Sequence, residues 1–313
     1  MKIESYSDIH TKQTESVDIE IINPIGIGIN LTKIVRLSNG KIGYLKNSAL
    51  TTDKTLDDIE YFMSIAGKYI LKMDFAKVYR VYDDNNFIGI ISEEVAKENE
   101  QFMMFSTLVA NLVNAKKNIL QTIIFKYQQL RNKNNYITTN INNEITTYPF
   151  LEDEEDICAA IDMFLIVLEY LDINEDAKKD MRNNYFKMLI FDVLMNHKDR
   201  NDNNYGVIYN EKTGNIRFSP LFDNSTIYMP DIPENLCQIN RFFMDKKQMM
   251  SILITRYNEY TEPFISEIET KQDEIIQKCE YVATNVLTPA QQDLIMSIIK
   301  ENIKELTIKS KRK

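Results

Sequence analysis

The sequence predicts an α+β fold in which a small β-rich part precedes a larger, mainly helical one. Three observations predict it. Short runs rich in β-branched and aromatic residues, separated by turn signals, occupy the first 95 positions. From residue 96 onward apolar residues recur at helical spacing. Only 8 Gly and 7 Pro are spread through 313 residues, which favours long regular elements. Two domains are therefore expected, residues 1–95 and residues 96–313.

Residues 17–22, 33–37, 41–46, 77–82 and 87–91 read as strands, with Ser38-Asn39-Gly40 and Asp83-Asp84-Asn85-Asn86 marking turns between them. Residues 56–70 read as a helix because Ile59, Phe62, Met63 and Ala66 fall on one face. Segment 103–130 carries Phe105, Leu108, Val109, Leu112, Ile119, Ile123 and Ile124 at the same spacing. Residues 131–148 have few apolar side chains and read as a loop. Helices resume over 152–171, opening on an acidic turn suited to the helix dipole, and over 175–195. Residues 205–209 and 216–219 read as two strands joined across Lys212-Thr213-Gly214, and 248–308 as mostly helical, divided by Pro289 at a helix start.

Composition excludes several classes. An apolar share of 44% with 27% charged residues fits a globular protein able to bury a core. The net charge of -9 argues against a broad nucleic-acid footprint. The N-terminus lacks an apolar leader segment, and no run reaches the length of about 18 apolar residues that a membrane span needs. A cytoplasmic location is expected, with signal-less export as an effector left open. Cys158, Cys237 and Cys279 are far apart and odd in number, and only His10 and His197 occur, so neither a disulfide framework nor a zinc site is indicated. A Walker A motif is absent from the sequence.

Residues 187–228 carry the chemistry. A helical run ends at Met195, a loop dense in Asn and Asp follows, and a strand pair then delivers Asp223. Phosphoryl transfer from a nucleotide needs a proton acceptor, hard oxygen ligands for Mg²⁺, and fixed positions for both. Asp199 could be the acceptor, with Arg200 holding the loop or steadying it; Asn204 offers an amide oxygen and Asp223 a carboxylate. Taken alone, the same residues also suit turns and left-handed backbone positions.

The order D-x(3)-N-x-x-D-R-x(3)-N-x-G, then a hairpin and S-P-L-F-D, resembles the nucleotide-binding core of the HipA-like serine/threonine kinases. The matching residues are Asp192, Asn196, Asp199, Arg200, Asn204, Gly206, Pro220 and Asp223. The resemblance implies that Asp199 is the catalytic base, with Arg200 beside it, and that Asn204 and Asp223 bind Mg²⁺. Asn201 stands where the family has His. A two-lobed protein-kinase-like fold is implied, with a small β-rich N-lobe, a larger helical C-lobe, and ATP and Mg²⁺ as cofactors. The implied partners are a protein substrate, for some members an aminoacyl-tRNA synthetase, and a small antitoxin; the implied roles are toxin of a toxin-antitoxin pair or effector.

On the ATP side, Gly26 and Gly28 would let backbone approach phosphate, because they lack a Cβ. Lys46 ends a strand and is the candidate phosphate clamp; Glu60, on the first helix after it, is the candidate partner. A solvated lysine and an exposed helix glutamate are the plain alternative. Residues 90–95, including Glu93 and Val95, stand where adenine would meet a hinge, or form an ordinary connection. Two further readings keep the fold: a pseudokinase acting as a scaffold, and a kinase acting on a lipid or small molecule.

Overall fold

The chain begins with a strand pair that periodicity does not reveal. β1 (Lys2–Tyr6) and β2 (Lys12–Ser16) pair antiparallel; β1 buries Ile3 and Tyr6, while β2 is exposed throughout. The alternation in KIESY is weak and KQTES has no apolar residue, so only tertiary pairing makes them strands. β3 (Ile19–Ile27), β4 (Thr32–Leu37) and β5 (Ile42–Lys46) follow as a meander. Gly40 in the β4–β5 turn takes φ +82°, a conformation that a Cβ would penalise. The computed structural model describes residues 1–27, 32–46, 56–115, 136–141, 144–149, 154–197, 200, 204–224 and 246–310.

α1 (Leu56–Ile65) runs into a π-helical turn, Ala66–Ile70, so the expected helix over 56–70 changes its hydrogen bonding midway. β6 (Val78–Asp83) and β7 (Asn86–Glu93) form a hairpin whose tip residues, Asp84 and Asn85, both have positive φ. The seven strands make one antiparallel sheet in the order β2-β1-β6-β7-β5-β4-β3. One cluster packs Ile3, Val17, Val35, Leu37, Tyr79, Val81 and Ile91 together. α1 packs against β6 and β7; its Ile59, Phe62 and Met63, and Ala66 of the π-helical turn, are sealed from solvent. Each such large side chain contributes roughly 1.5–3 kcal/mol.

Two expectations for the next segment are corrected. β8 (Glu100–Met104) occupies the start of the expected 103–130 helix, and α2 (Phe105–Ala115) begins only after it. Pairing of β8 with a strand a hundred positions away decides this, and local periodicity does not carry that information. Residues 116–130 lie outside the described residues. The expected loop over 131–148 contains a two-stranded antiparallel sheet, β9 (Tyr136–Ile141) and β10 (Glu144–Pro149). Its sequences, YITTNI and EITTYP, are poor in large apolar residues but rich in β-branched Ile and Thr.

α3 (Glu154–Tyr170) and α4 (Glu175–Met195) follow. Asn174 caps α4 by accepting the Ala177 N–H at 2.8 Å. β11 (Gly206–Asn210) and β12 (Ile216–Phe218) pair with each other, and β11 also pairs with β8. Phe105, Phe164, Tyr185, Tyr205 and Phe218 fill the space around these elements, with Phe164 and Tyr185 stacked at 3.7 Å between centroids. α5 (Lys246–Thr255), α6 (Asn258–Thr270), α7 (Gln272–Val286) and α8 (Pro289–Ser310) complete the chain. α8 opens with a capping box: Gln291 Oε1 accepts the Thr288 N–H at 2.8 Å, and Pro289 takes the first helical position.

Contacts divide the chain into two units, and the division is discontinuous. The first comprises Met1–Glu98, Pro220–Ile227 and Ile268–Lys304; the second comprises Asn99–Ser219, Tyr228–Glu267 and Glu305–Lys313. The first is the sheet with α1, and α7 packs on α1 within it. The second holds β8, β11, β12 and the helices α2 to α5. The C-terminal helices, which extend the helical part in sequence, therefore group partly with the sheet.

Candidate functional site

In the first unit, strand alternation decides where Lys46 points. Leu45 pairs with Ile91 and packs against the buried cluster of the sheet. Its neighbour Lys46, paired with Ile90, is thereby turned to the opposite face, where α1 lies. Glu60 comes from that helix and is 2% exposed. Lys46 Nζ donates to Glu60 Oε1 at 3.0 Å and to Oε2 at 2.8 Å. It also donates to Asp223 Oδ1 at 2.8 Å.

Asp223 reaches this place because the segment after β12 is tied down first. Leu221 bridges to Phe75, donating its N–H to Asp74 O at 2.8 Å and accepting from Ala76 N at 2.9 Å. Two residues later Asp223 takes φ +54°, a left-handed conformation that Asp tolerates better than most residues. Burial alone would pull the Lys46 ammonium down; the Glu60 and Asp223 carboxylates outweigh it and hold the group above its ordinary value. Burial pushes the Glu60 carboxyl up, against the pull of Lys46, and Asp223 adds to the rise. One cation thus stands between two carboxylates.

The remaining candidates of the first unit are placed less informatively. Gly26 lies within β3, and Gly28 lies outside the described residues. Glu93 ends β7; its carboxylate accepts from Tyr79 Oη at 2.6 Å and pairs with Lys41 at 2.8 Å. The N–H groups of Glu93 and Glu94 donate to Lys77 O and Ile42 O, so both are used inside the sheet. Val95 follows, half-buried.

In the second unit the sequence-predicted loop begins at the end of α4. Asn196 ends the helix in the left-handed conformation, φ 51°, and His197 N donates to Asp192 O at 2.8 Å. Arg200 is buried. Its Nε donates to Asp192 Oδ2 at 3.0 Å, its Nη2 to Asp192 Oδ1 at 3.0 Å, and its Nη1 to Asn204 O at 3.1 Å. The His197 ring is buried beside the same carboxylate, with Nδ1 3.6 Å from Asp192 Oδ1. Burial pushes the Asp192 carboxyl up, and Arg200 opposes that shift.

Asn204 is itself buried, and the strand after it is held from both sides. Tyr205 O accepts from Phe105 N at 3.1 Å, Gly206 N donates to Ser219 Oγ at 3.2 Å, and Ser219 N donates to Gly206 O at 2.9 Å. A Cβ on Gly206 would lie 2.1 Å from Met103 O, so this glycine is set by close backbone approach. Asp199 and Asn201 lie outside the described residues. Sequence reasoning matched Asp192 to a motif but missed its grip on Arg200. The available signal was a lone carboxylate inside the apolar run KMLIFDVLM. It also missed the bond between Asp223 and Lys46, residues 177 positions apart.

The fold is a kinase-like α+β fold. The crystal structure of a Helicobacter pylori proinflammatory kinase, CtkA, matches it with a TM-score of 0.59 at 13% identity, over 93% of this chain and 96% of that chain. A HipA chain from a Shewanella oneidensis HipA, HipB and operator DNA complex overlays with a TM-score of 0.37 at 13% identity, over 87% of this chain and 57% of that one. At that score no shared fold follows. No protein-family model matches the sequence, and no curated protein sequence matches it. Among the described residues no helix is long and apolar enough to cross a membrane.

Proposed function

We propose that the chain is an ATP- and Mg²⁺-dependent kinase that phosphorylates serine or threonine on a protein. The observation that carries the reading is Lys46, held at the end of a central strand by both oxygens of a buried helix glutamate and by Asp223. In phosphoryl transfer a strand lysine fixed by a helix glutamate clamps nucleotide phosphates, while a carboxylate and an amide oxygen hold the metal. Lys46 takes the first role and Glu60 fixes it. Gly26 and Gly28 lend backbone to the phosphates, and the stretch from Glu93 to Val95 lies at the nucleotide base, although the N–H groups of Glu93 and Glu94 are already engaged with Lys77 O and Ile42 O.

The donor chemistry fits Mg²⁺. Asp223 offers a carboxylate whose side chain is 39% exposed, and Asn204 offers an amide oxygen; both are the hard ligands that this ion takes. Mg²⁺ keeps several waters and takes substrate phosphate oxygens, which would complete its shell. Held by such ligands, Mg²⁺ would neutralise charge on the transferred phosphoryl group. Asp199 takes the hydroxyl proton, with Arg200 holding its loop. A toxin or effector role, an antitoxin partner and a synthetase as substrate rest on the motif resemblance.

The test is transfer of label from [γ-³²P]ATP in Mg²⁺, with the protein alone and with cell extract, beside Asp199→Asn. Transfer to protein is expected, with the variant slower by about 10²–10⁴-fold. ATP binding without transfer in any sample would sink the reading and favour a scaffold. Label in lipid or metabolites would move the acceptor class.

A further inference from the structure

Asp192 carries no role in the motif chemistry, yet it is a buried carboxylate on the helix that leads into the candidate loop. It sits on α4 at 5% exposure and spends both oxygens on one guanidinium, in the side-on geometry that only arginine offers. The third arm of that guanidinium reaches Asn204 O. A buried guanidinium needs its donors satisfied in any case. What the carboxylate adds is direction: gripping two arms, it fixes the plane of the guanidinium and so the line along which Nη1 meets Asn204 O.

We propose that Asp192 is a positioning residue: through Arg200 it fixes the backbone at Asn204 and so the direction in which the Asn204 amide is presented to metal. This rests on the kinase reading given above. Downstream, Tyr205 and Gly206 are anchored by Phe105 and Ser219. Asn204 itself accepts at its backbone oxygen from Arg200 Nη1 at 3.1 Å. The α4 carboxylate thus turns a helix, whose last turns are buried, into a fixed reference for a loop residue. Rigid support of this kind matters because a misplacement of about 1 Å in a reacting group costs on the order of 10²-fold in rate.

Arg200→Lys separates orientation from charge. Lysine keeps a cation for Asp192 but has no second arm for Asn204 O. The expected result is a folded protein whose Mg²⁺ requirement for phosphoryl transfer rises at least about tenfold, with kcat down by about 10²-fold. Amide exchange at Asn204 and Tyr205 should also quicken relative to that in α4. A second variant, Asp192→Leu with Arg200→Met, removes the buried charges together and so keeps the core paired with apolar groups. It should fold and give the same two effects.

Wild-type Mg²⁺ dependence and exchange rates retained in either folded variant would overturn the proposal. If the wild type neither binds nor transfers nucleotide, the kinase reading fails on its own. The exchange measurement then still decides whether Asp192 and Arg200 fix Asn204, and unchanged exchange overturns that too.

Discussion

Two charged clusters of this molecule, at Lys46 and at Arg200, are built from the same chemistry in different surroundings. At Lys46 one cation faces two carboxylates, and the side chain of Asp223 is 39% exposed although Lys46 is at 13% and Glu60 at 2%. At Arg200 one cation faces one carboxylate, the two at 3% and 5%, and the spare donor goes to backbone. The first cluster has an excess of negative charge and an open edge, so it can exchange a partner for a cation or a phosphate. The second pairs one cation with one carboxylate, both buried. On the kinase function proposed above, the first would be the group that changes partners and the second the fixed support.

The sharpest way to break this contrast is Asp192→Leu alone. It leaves the Arg200 charge buried without its partner, and a stability loss of about 3–5 kcal/mol is expected in denaturant titration. A loss below about 1 kcal/mol would mean that the pair is solvated like a surface bridge and that the two clusters are alike. Lys46→Met should do the reverse. Glu60, whose carboxyl burial already pushes up, can take a proton in place of the lysine, so folding should suffer less than in Asp192→Leu. Phosphoryl transfer should fall by about 10²–10³-fold, the usual loss when one electrostatic stabiliser is removed. Transfer assays beside the same denaturant titrations read both effects.

The smallest effect concerns the protonation of Lys46. Its pKa is raised, so at any pH below it the neutral amine is scarcer than in an ordinary lysine. Amine acylation at mildly alkaline pH should therefore modify the more exposed Lys12 before Lys46, as read by peptide mass spectrometry. Glu60→Gln removes one of the two carboxylates that raise it. Each unit by which the pKa then drops increases the reactive fraction about tenfold. Equal labelling of Lys46 in the wild type and in Glu60→Gln would show that the carboxylate does not control the amine.

What could be read from the sequence follows from how local each feature is. The order of sheet part and helical part, the Asn-Gly turn, the α1 face and the helix start at Pro289 are written in neighbouring residues, and the structure has them. Lys46 and Glu60 were also legible, since a strand end and the next helix lie 14 positions apart. The missing elements depend on distant chain. β1 exists because β6 lies beside it, with β2 paired on its other edge, and β8 because β11 does. β9 and β10 were missed for a different reason: apolar density was weighed where β-branching carried the information. Asp192 was visible as an oddity in an apolar helix, but nothing local says that its partner is Arg200.

The discontinuity of the first unit has a bearing on how the molecule is made. Its sheet and α1 leave the ribosome early, yet α7, which covers α1, belongs to a segment starting at Ile268. While residues 99–267 are made, the apolar flank of α1 waits without that cover, and such waiting surfaces are where chains misassociate or recruit chaperones. The unit that carries Lys46 and Glu60 is therefore begun before residues 99–219 and completed after them, and a nascent chain halted before residue 268 would display Lys46 on an unfinished scaffold.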